Sequence, residues 1–96
     1  MKTIPAFINI LGFDFMTKFE KITDAKGYTL GRFSLADRTI IIRSDLNEKE
    51  AMAVLYHEIG EVILRLNWNY TPKLTHGNYT IFMNSFYDTL MKAGMV

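Results

Sequence analysis

The run from Glu48 to Leu66 constrains the fold most, because its pattern fits little other than an α-helix. Apolar residues recur along it at three- and four-residue spacing, which is typical of a helix that packs on a core. Those residues are Leu55, Ile59, Val62, Ile63 and Leu66. Asn47 precedes the run and Glu50 follows three residues later, as in a capping box. The sequence therefore predicts a helix over 48–66 with Asn47 as its N-cap.

The residues before this helix predict strands. Phe7–Leu11 and Phe13–Glu20 are separated by Gly12, and alternation along the second segment indicates a hairpin. A second hairpin is predicted from Tyr28–Ser34 and Thr39–Arg43, reversing at residues 35–38. The β-branched run at the start of its second arm predicts an inner strand of the sheet.

A second helix is predicted near the end of the chain, from a cap at Thr75 to Ala93, with Gly94 as its stop. Turn residues at 24–27 separate the two hairpins, and residues 67–72 are predicted to connect the helices. The predicted buried face of the second helix consists of Tyr79, Phe82, Met83, Phe86, Leu90 and Ala93. This order predicts a single α+β domain over 1–96, in which an antiparallel four-stranded sheet of two hairpins packs against two C-terminal helices.

Composition excludes several classes of function. Hydrophobic residues make up 49% of the chain, which predicts a folded core. The net charge is +1, and the chain has no cluster of basic residues suited to binding nucleic acid. There is no cysteine, so a metal site would have to use histidine and carboxylate ligands. No apolar run is long enough to span a membrane and no export segment is evident, so a cytoplasmic protein is expected.

The pattern with the most chemical content is His57-Glu58-Ile59-Gly60-Glu61, within the first helix. On a helix, His57 and Glu61 lie one turn apart on the same face, and Glu58 projects about 100° round the axis. This is the geometry of the zinc helix H-E-x-x-H, with a glutamate in place of the second histidine. A simpler interpretation is a solvated face, on which Glu61 pairs with Arg65.

Three features favour a metal site. Gly60 lies in the middle of a strong helix, at a cost of about 1 kcal/mol relative to alanine, which indicates close approach of another backbone or a substrate. The second histidine of the chain, His76, falls at the predicted start of the second helix. Together His57, Glu61 and His76 form a His₂Glu set, the composition of catalytic Zn²⁺ sites.

In such a site Glu58 is expected to act as general base toward a zinc-activated water. Tyr79 or Tyr70 could donate a phenolic hydrogen bond to the developing oxyanion, although core packing is the favoured role for each. A peptide substrate could pair with an open edge of the sheet, whose position the sequence does not give.

At this level of detail the chain resembles small zincin-like proteins of phages and mobile elements, akin to the metallopeptidase domain of the ImmA/IrrE family. The resemblance is carried by Leu30-Gly31-Arg32, the strand Thr39–Ser44, the helical segment Leu55–Ile63 and Leu74-Thr75-His76, and it spans most of the chain from Ile8. It implies a minimal zincin-like fold. Its most specific part is the first helix and the strand before it.

For the site residues, the resemblance implies that His57 is the first zinc ligand and Glu58 the catalytic base. Glu61 stands at the second ligand position, where the family normally has histidine, and His76 would be the downstream ligand, where relatives often have a carboxylate. The histidine missing at position 61 is thus replaced by the one at position 76, and the ligand set is again two histidines and one glutamate. The altered ligand order nevertheless puts peptidase activity in question.

Three functional hypotheses follow. The first is a zinc metallopeptidase acting on a protein or peptide, with Glu58 as base. The second is a catalytically inactive zincin-like scaffold of a phage or mobile element that binds a protein partner. The third is a structural zinc that ties the two helices together, which would matter in a domain of this size. Neither the substrate nor the oligomeric state follows from the sequence.

Overall fold

A computed structural model of the chain describes residues 4–23, 29–68 and 75–96. Its elements in chain order are β1 Phe7–Ile10, β2 Phe13–Glu20, β3 Gly31–Ser34, β4 Thr39–Arg43, α1 Glu48–Trp68 and α2 His76–Lys92. All six correspond to predicted elements. The predicted turn at 24–27, and the part of the predicted helix connection at 69–72, lie outside the described residues.

The four strands form one mixed sheet in the order β1-β2-β4-β3. Both predicted hairpins are confirmed, because β1 pairs antiparallel with β2 and β3 pairs antiparallel with β4. The prediction of an antiparallel sheet is wrong, since β2 and β4 run parallel, with Met16 opposite Thr39 and Glu20 opposite Arg43. Strand β3 is therefore an edge of the sheet and does not lie beside β2.

The parallel pair follows from which strand of the second hairpin takes the inner position. Strand β4 is β-branched at Thr39 and at three isoleucines, and its Ile40 and Ile42 are fully buried. Placing this strand inside the sheet therefore buries more apolar surface than placing β3 there. Strand β3 begins with Gly31 and Arg32, which bury less apolar surface. Placing β4 next to β2 makes the chain pass beyond it to reach β3, which sets β2 and β4 parallel. The predicted inner strand is confirmed.

The core lies between the sheet and α1. Strand residues on the inner face alternate with residues on the outer face, as the two-residue period of a strand requires. The fully buried side chains are Ile8, Ile10, Phe15, Ile40, Ile42, Leu55, Ile59, Val62 and Ile63. Burial of this apolar surface fixes the rotation of α1 about its axis, and with it the direction of every polar side chain on that helix.

The predicted start of α1 is confirmed by its hydrogen bonds. The Glu50 N–H donates to Asn47 Oδ1 at 2.8 Å, and the Asn47 N–H donates to Glu50 Oε1 at 3.1 Å, which together complete a capping box. The helix continues to Trp68, two residues beyond its predicted end. Capping by Thr75 is also confirmed, since its side chain accepts from the Asn78 N–H at the start of α2.

Helix α2 packs less tightly than predicted. Leu90 is buried, and Phe82, Phe86 and Ala93 are partly buried against the core, but Tyr79 and Met83 are exposed. The predicted apolar face was too wide, because Phe82, Phe86, Leu90 and Ala93 pack against the core whereas Tyr79 and Met83 do not. A Cβ on Gly60 would lie 3.1 Å from Phe86 Cε2, so the close neighbour of this glycine is an aromatic ring of α2 and not the backbone or substrate that the sequence predicted.

Candidate metal centre

His57 and Glu61 lie one turn apart on α1, outside its buried face. The distance from His57 Nε2 to Glu61 Oε1 is 3.1 Å. Two donors bound to one tetrahedral zinc ion, each about 2.0–2.2 Å from it, are roughly 3.3 Å apart. The observed separation therefore suits a shared metal. It equally suits a direct ion pair between a protonated imidazole and the carboxylate.

Glu58 occupies a different environment from its two neighbours. Its side chain turns toward the sheet and is only 6% exposed, whereas the side chain of His57 is 67% exposed. Burial raises the pKa of Glu58 above its usual value, and the nearby Glu61 carboxylate raises it further, while His57 lowers it in part. A carboxyl group with a raised pKa is better suited to take up and return a proton than an exposed glutamate.

The buried Glu58 carboxylate lacks the compensation that such a group usually has. In the part of the chain that the structure describes, His57 Nε2 at 3.9 Å is its one ion-pair contact, and no lysine or arginine nitrogen lies within 4.0 Å. A buried carboxylate without a cationic partner is costly. A bound cation beside it would remove that cost, so the environment of Glu58 fits a metal site.

Donor atoms of His57, Glu58 and Glu61 all lie within 4.8 Å of one another. Within residues 4–23, 29–68 and 75–96, this is the one group of three histidine or acidic side chains close enough to hold a cation. One imidazole and two carboxylates suit Zn²⁺ and other divalent transition metals. All three side chains come from one turn of α1.

A groove of about 850 Å³ runs between α1 and the edge strand β3, and the cluster lies in its wall. Thr29, Leu30, Gly31, Arg32 and Phe33 form the strand side. The α1 side comprises Glu50, Ala53, Val54, His57, Glu58 and Glu61. The sequence left open which strand forms the sheet edge near the site. In the structure the strand that borders the cluster, β3, is an edge strand.

Gly31 allows β3 to approach the cluster closely. A Cβ at this position would lie 2.5 Å from Val54 Cγ1, 3.1 Å from the Ile41 carbonyl oxygen and 3.4 Å from Glu58 Cγ. The first separation is far inside van der Waals contact, so any other residue at this position requires a shift of the Val54 side chain, of α1 or of β3. The sequence carried a signal for this contact, because a glycine inside a strand often marks close backbone approach. The predicted site did not include it.

The structure does not bring His76 to the cluster. His76 is the exposed first residue of α2. The helices run antiparallel, with the Tyr56 hydroxyl donating to the Met95 carbonyl oxygen and Gly60 against Phe86. The stretch of α2 from His76 to Phe86 spans about 15 Å at ~1.5 Å per residue, toward the C-terminal end of α1. As a zinc ligand, His76 stays a prediction from sequence alone.

Of the two tyrosines considered as oxyanion donors, the structure describes one. Tyr79 is exposed on α2 and is not among the residues that line it. Tyr70 lies outside the described residues.

No family model, curated protein or solved structure matches this chain. The resemblance to zincin-like proteins therefore stays a prediction, carried by the helix motif and by the residues named with it. None of the helices in the described ranges is both long and apolar enough to cross a membrane.

Proposed function

We propose that the chain is a zinc-dependent metallopeptidase-like protein, with His57 and Glu61 as metal ligands and Glu58 as general base. One observation carries the proposal: the three side chains converge within 4.8 Å at a groove, and the middle one is buried with no lysine or arginine partner among the described residues. The H-E-x-x-E motif and its likeness to the zincin helix support the choice of metal and reaction.

The roles of the residues follow from their environments. A zinc ion bound at this cluster would supply Lewis-acid chemistry and would lower the pKa of a coordinated water to about 7. Glu58, at the interface between α1 and β3, accepts the proton of the attacking water on a carboxylate oxygen and returns it to the leaving amine. His57 and Glu61 are held one turn apart by the α1 backbone, so the cluster needs little rearrangement to bind an ion.

The groove supports a peptide as the substrate class. It is bordered by an edge strand, where an extended peptide can lie alongside β3 and bring one of its carbonyl groups to the cluster. Val54 and Leu46 provide apolar surface beside the polar cluster, as is usual in ligand sites.

Zinc content tests the ligand assignment directly. We expect the protein, purified without chelator and measured by elemental analysis, to contain about one zinc per chain, and His57→Ala and Glu61→Ala to lose it. Glu20→Ala removes an exposed carboxylate on β2 and serves as the control that keeps the metal. His76→Ala separates two ligand sets, because it keeps zinc if the ligands lie on α1 and loses it if His76 completes the set. Absence of zinc after reconstitution would refute the proposal.

Cleavage tests the role of Glu58. We expect the zinc-loaded protein to generate new N-termini in a complex peptide library, detected by mass spectrometry. Glu58→Gln should keep the zinc but lower the cleavage rate by about 10²- to 10⁴-fold, the usual contribution of a general base. Full cleavage by Glu58→Gln would show that another group takes the proton.

A non-enzymatic scaffold of a phage or mobile element, which binds a protein partner, is the second candidate. One observation favours it: four large apolar side chains follow one another at four-residue spacing along α2 and are all exposed, namely Tyr79, Met83, Tyr87 and Met91. In this case a zinc-loaded protein would cleave no peptide, and partner binding would be lost in α2 variants but not in Glu58→Gln. A zinc that ties the two helices together has no support from a cluster that lies wholly on α1.

A further inference from the structure

Arg32 differs from the other charged residues of the groove in having no side-chain partner among the residues that the structure describes. It is the second residue of the edge strand β3 and is exposed. Because Gly31 before it faces α1, the Arg32 side chain projects toward the other face of the sheet, and the residue borders both the groove and the outer surface. Within the described ranges, no hydrogen bond or ion pair engages its guanidinium. A free guanidinium presents several donors in a fixed planar arrangement that matches a carboxylate.

The other charged groups around the groove are already engaged. Arg43 binds the Asp45 carboxylate through Nε at 2.6 Å. The Glu50 carboxylate accepts from the Asn47 N–H as part of the helix cap. With a divalent cation compensating the negative charges of the cluster, Arg32 is left as the cationic group beside the groove that has no hydrogen-bond or ion-pair partner among the described residues.

We propose that the groove binds peptides that carry a carboxylate close to the metal, and that Arg32 is the residue that recognises it. The inference rests on the proposed function and specifies its substrate class as acidic peptides. Gly31 faces Glu58 and Arg32 projects from the opposite face of the same edge strand. In an extended peptide paired along β3, the residue beside Arg32 is therefore the neighbour of the residue presented to the cluster. The carboxylate can come from an Asp or Glu side chain or from the C-terminus of the peptide, since both offer the same two oxygens.

Three peptide hydroxamates of one length serve as probes on the zinc-loaded full chain. The first carries a glutamate beside the hydroxamate and an amidated C-terminus, the second replaces that glutamate by glutamine, and the third keeps the glutamine but ends in a free carboxylate. Calorimetric titration gives their dissociation constants. We expect the glutamate probe, the free-acid probe, or both to bind about tenfold more tightly than the neutral one, and the pattern identifies the source of the carboxylate.

Variants assign this preference to Arg32. Arg32→Gln should bind all three probes with the affinity of the neutral one, and Arg32→Lys should retain part of the preference because it keeps the charge without the planar fork. Lys49→Gln is the matched control, because it removes one positive charge from an exposed position of α1 that does not line the groove. It should leave the preference unchanged.

Each outcome decides between the two proposals. Zinc binding without a preference for the anionic probes, or a preference that survives Arg32→Gln, would overturn the assignment of Arg32 and leave the metal site intact. Failure of the chain to bind zinc would overturn the proposed function, and this inference with it.

Discussion

The two helices are both amphipathic but contribute very differently to the fold. Helix α1 buries eight residues, whereas α2 buries Thr89 and Leu90 alone. The difference arises from position. Helix α1 covers the middle of the sheet, with contacts to β1, β3 and β4, while α2 lies beside it and contacts β1 and α1.

This contrast explains where a functional site can be built. A metal or catalytic group needs side chains held in fixed geometry, and a helix that is locked by core packing supplies such positions. Glu58 is itself among the buried residues of α1, next to Ile59 in the core. The exposed apolar side chains of α2 lie outside this rigid region, and they form a surface suited to a partner rather than to chemistry.

The largest expected effect comes from truncating the core side of α1. Ile59 is fully buried, so Ile59→Ala should lower the free energy of unfolding by about 2–5 kcal/mol. Met83, on α2, is 43% exposed, and Met83→Ala should change the free energy of unfolding by about 0.5 kcal/mol or less. Urea unfolding followed by circular dichroism measures both. Equal losses would show that α2 is as deeply packed in solution as α1.

A smaller but still substantial effect is expected where α1 meets the edge strand. Gly31→Ala places a Cβ against Val54 and should lower stability by about 1–3 kcal/mol, as overpacking does. Adding Val54→Ala removes that contact, so the double variant should be more stable than the sum of the two single losses implies.

Gly77→Ala is the control for the Gly31 substitution. It lies in the first turn of α2, and the nearest atom to its added Cβ is Thr75 Oγ1 at 4.0 Å. No steric loss is expected there. A Gly31→Ala protein as stable as the wild type would mean that β3 can move away from α1, and that the groove is wider than the observed packing allows.

Much of the fold could be predicted because its determinants are local. The capping box at Asn47, the Thr75 cap and the two hairpins each depend on residues close together in sequence, and all four are observed. The order of β3 and β4 could not be predicted in this way. It depends on which strand gains more by lying inside the sheet, and that is a comparison between distant parts of the chain.

The candidate site divides along the same line. His57, Glu58 and Glu61 share one helical turn, so their convergence follows from the sequence spacing. Gly31 and Arg32 join them only because β3 is the edge strand beside α1, which required the sheet order. The distance of His76 from the cluster depends on how α2 packs against α1, and residue spacing carries no information on that.

The smallest expected effect is a pH dependence that originates in Glu58. Because the pKa of this carboxyl is raised in the folded protein, the metal-free folded state holds its proton to higher pH than the unfolded state does. Stability should therefore fall as the pH rises above the unfolded value of 4.5 and through the raised folded pKa. Below 4.5 the contribution vanishes. Glu58→Gln removes the ionisable group, so in EDTA it should be more stable than wild type at pH 8 but not at pH 4.

Urea unfolding across this pH range, with and without zinc, measures the difference. Glu20→Gln removes an exposed carboxyl on β2 and should follow the wild-type profile. Zinc should flatten the wild-type dependence, because a cation at the cluster favours the ionised carboxylate that burial disfavours. Parallel profiles for wild type and Glu58→Gln in EDTA would show that Glu58 is solvated. Helix α1 would then not differ from the peripheral α2 at Glu58, the residue on which the proposed chemistry depends, because Glu58 would not be buried in solution.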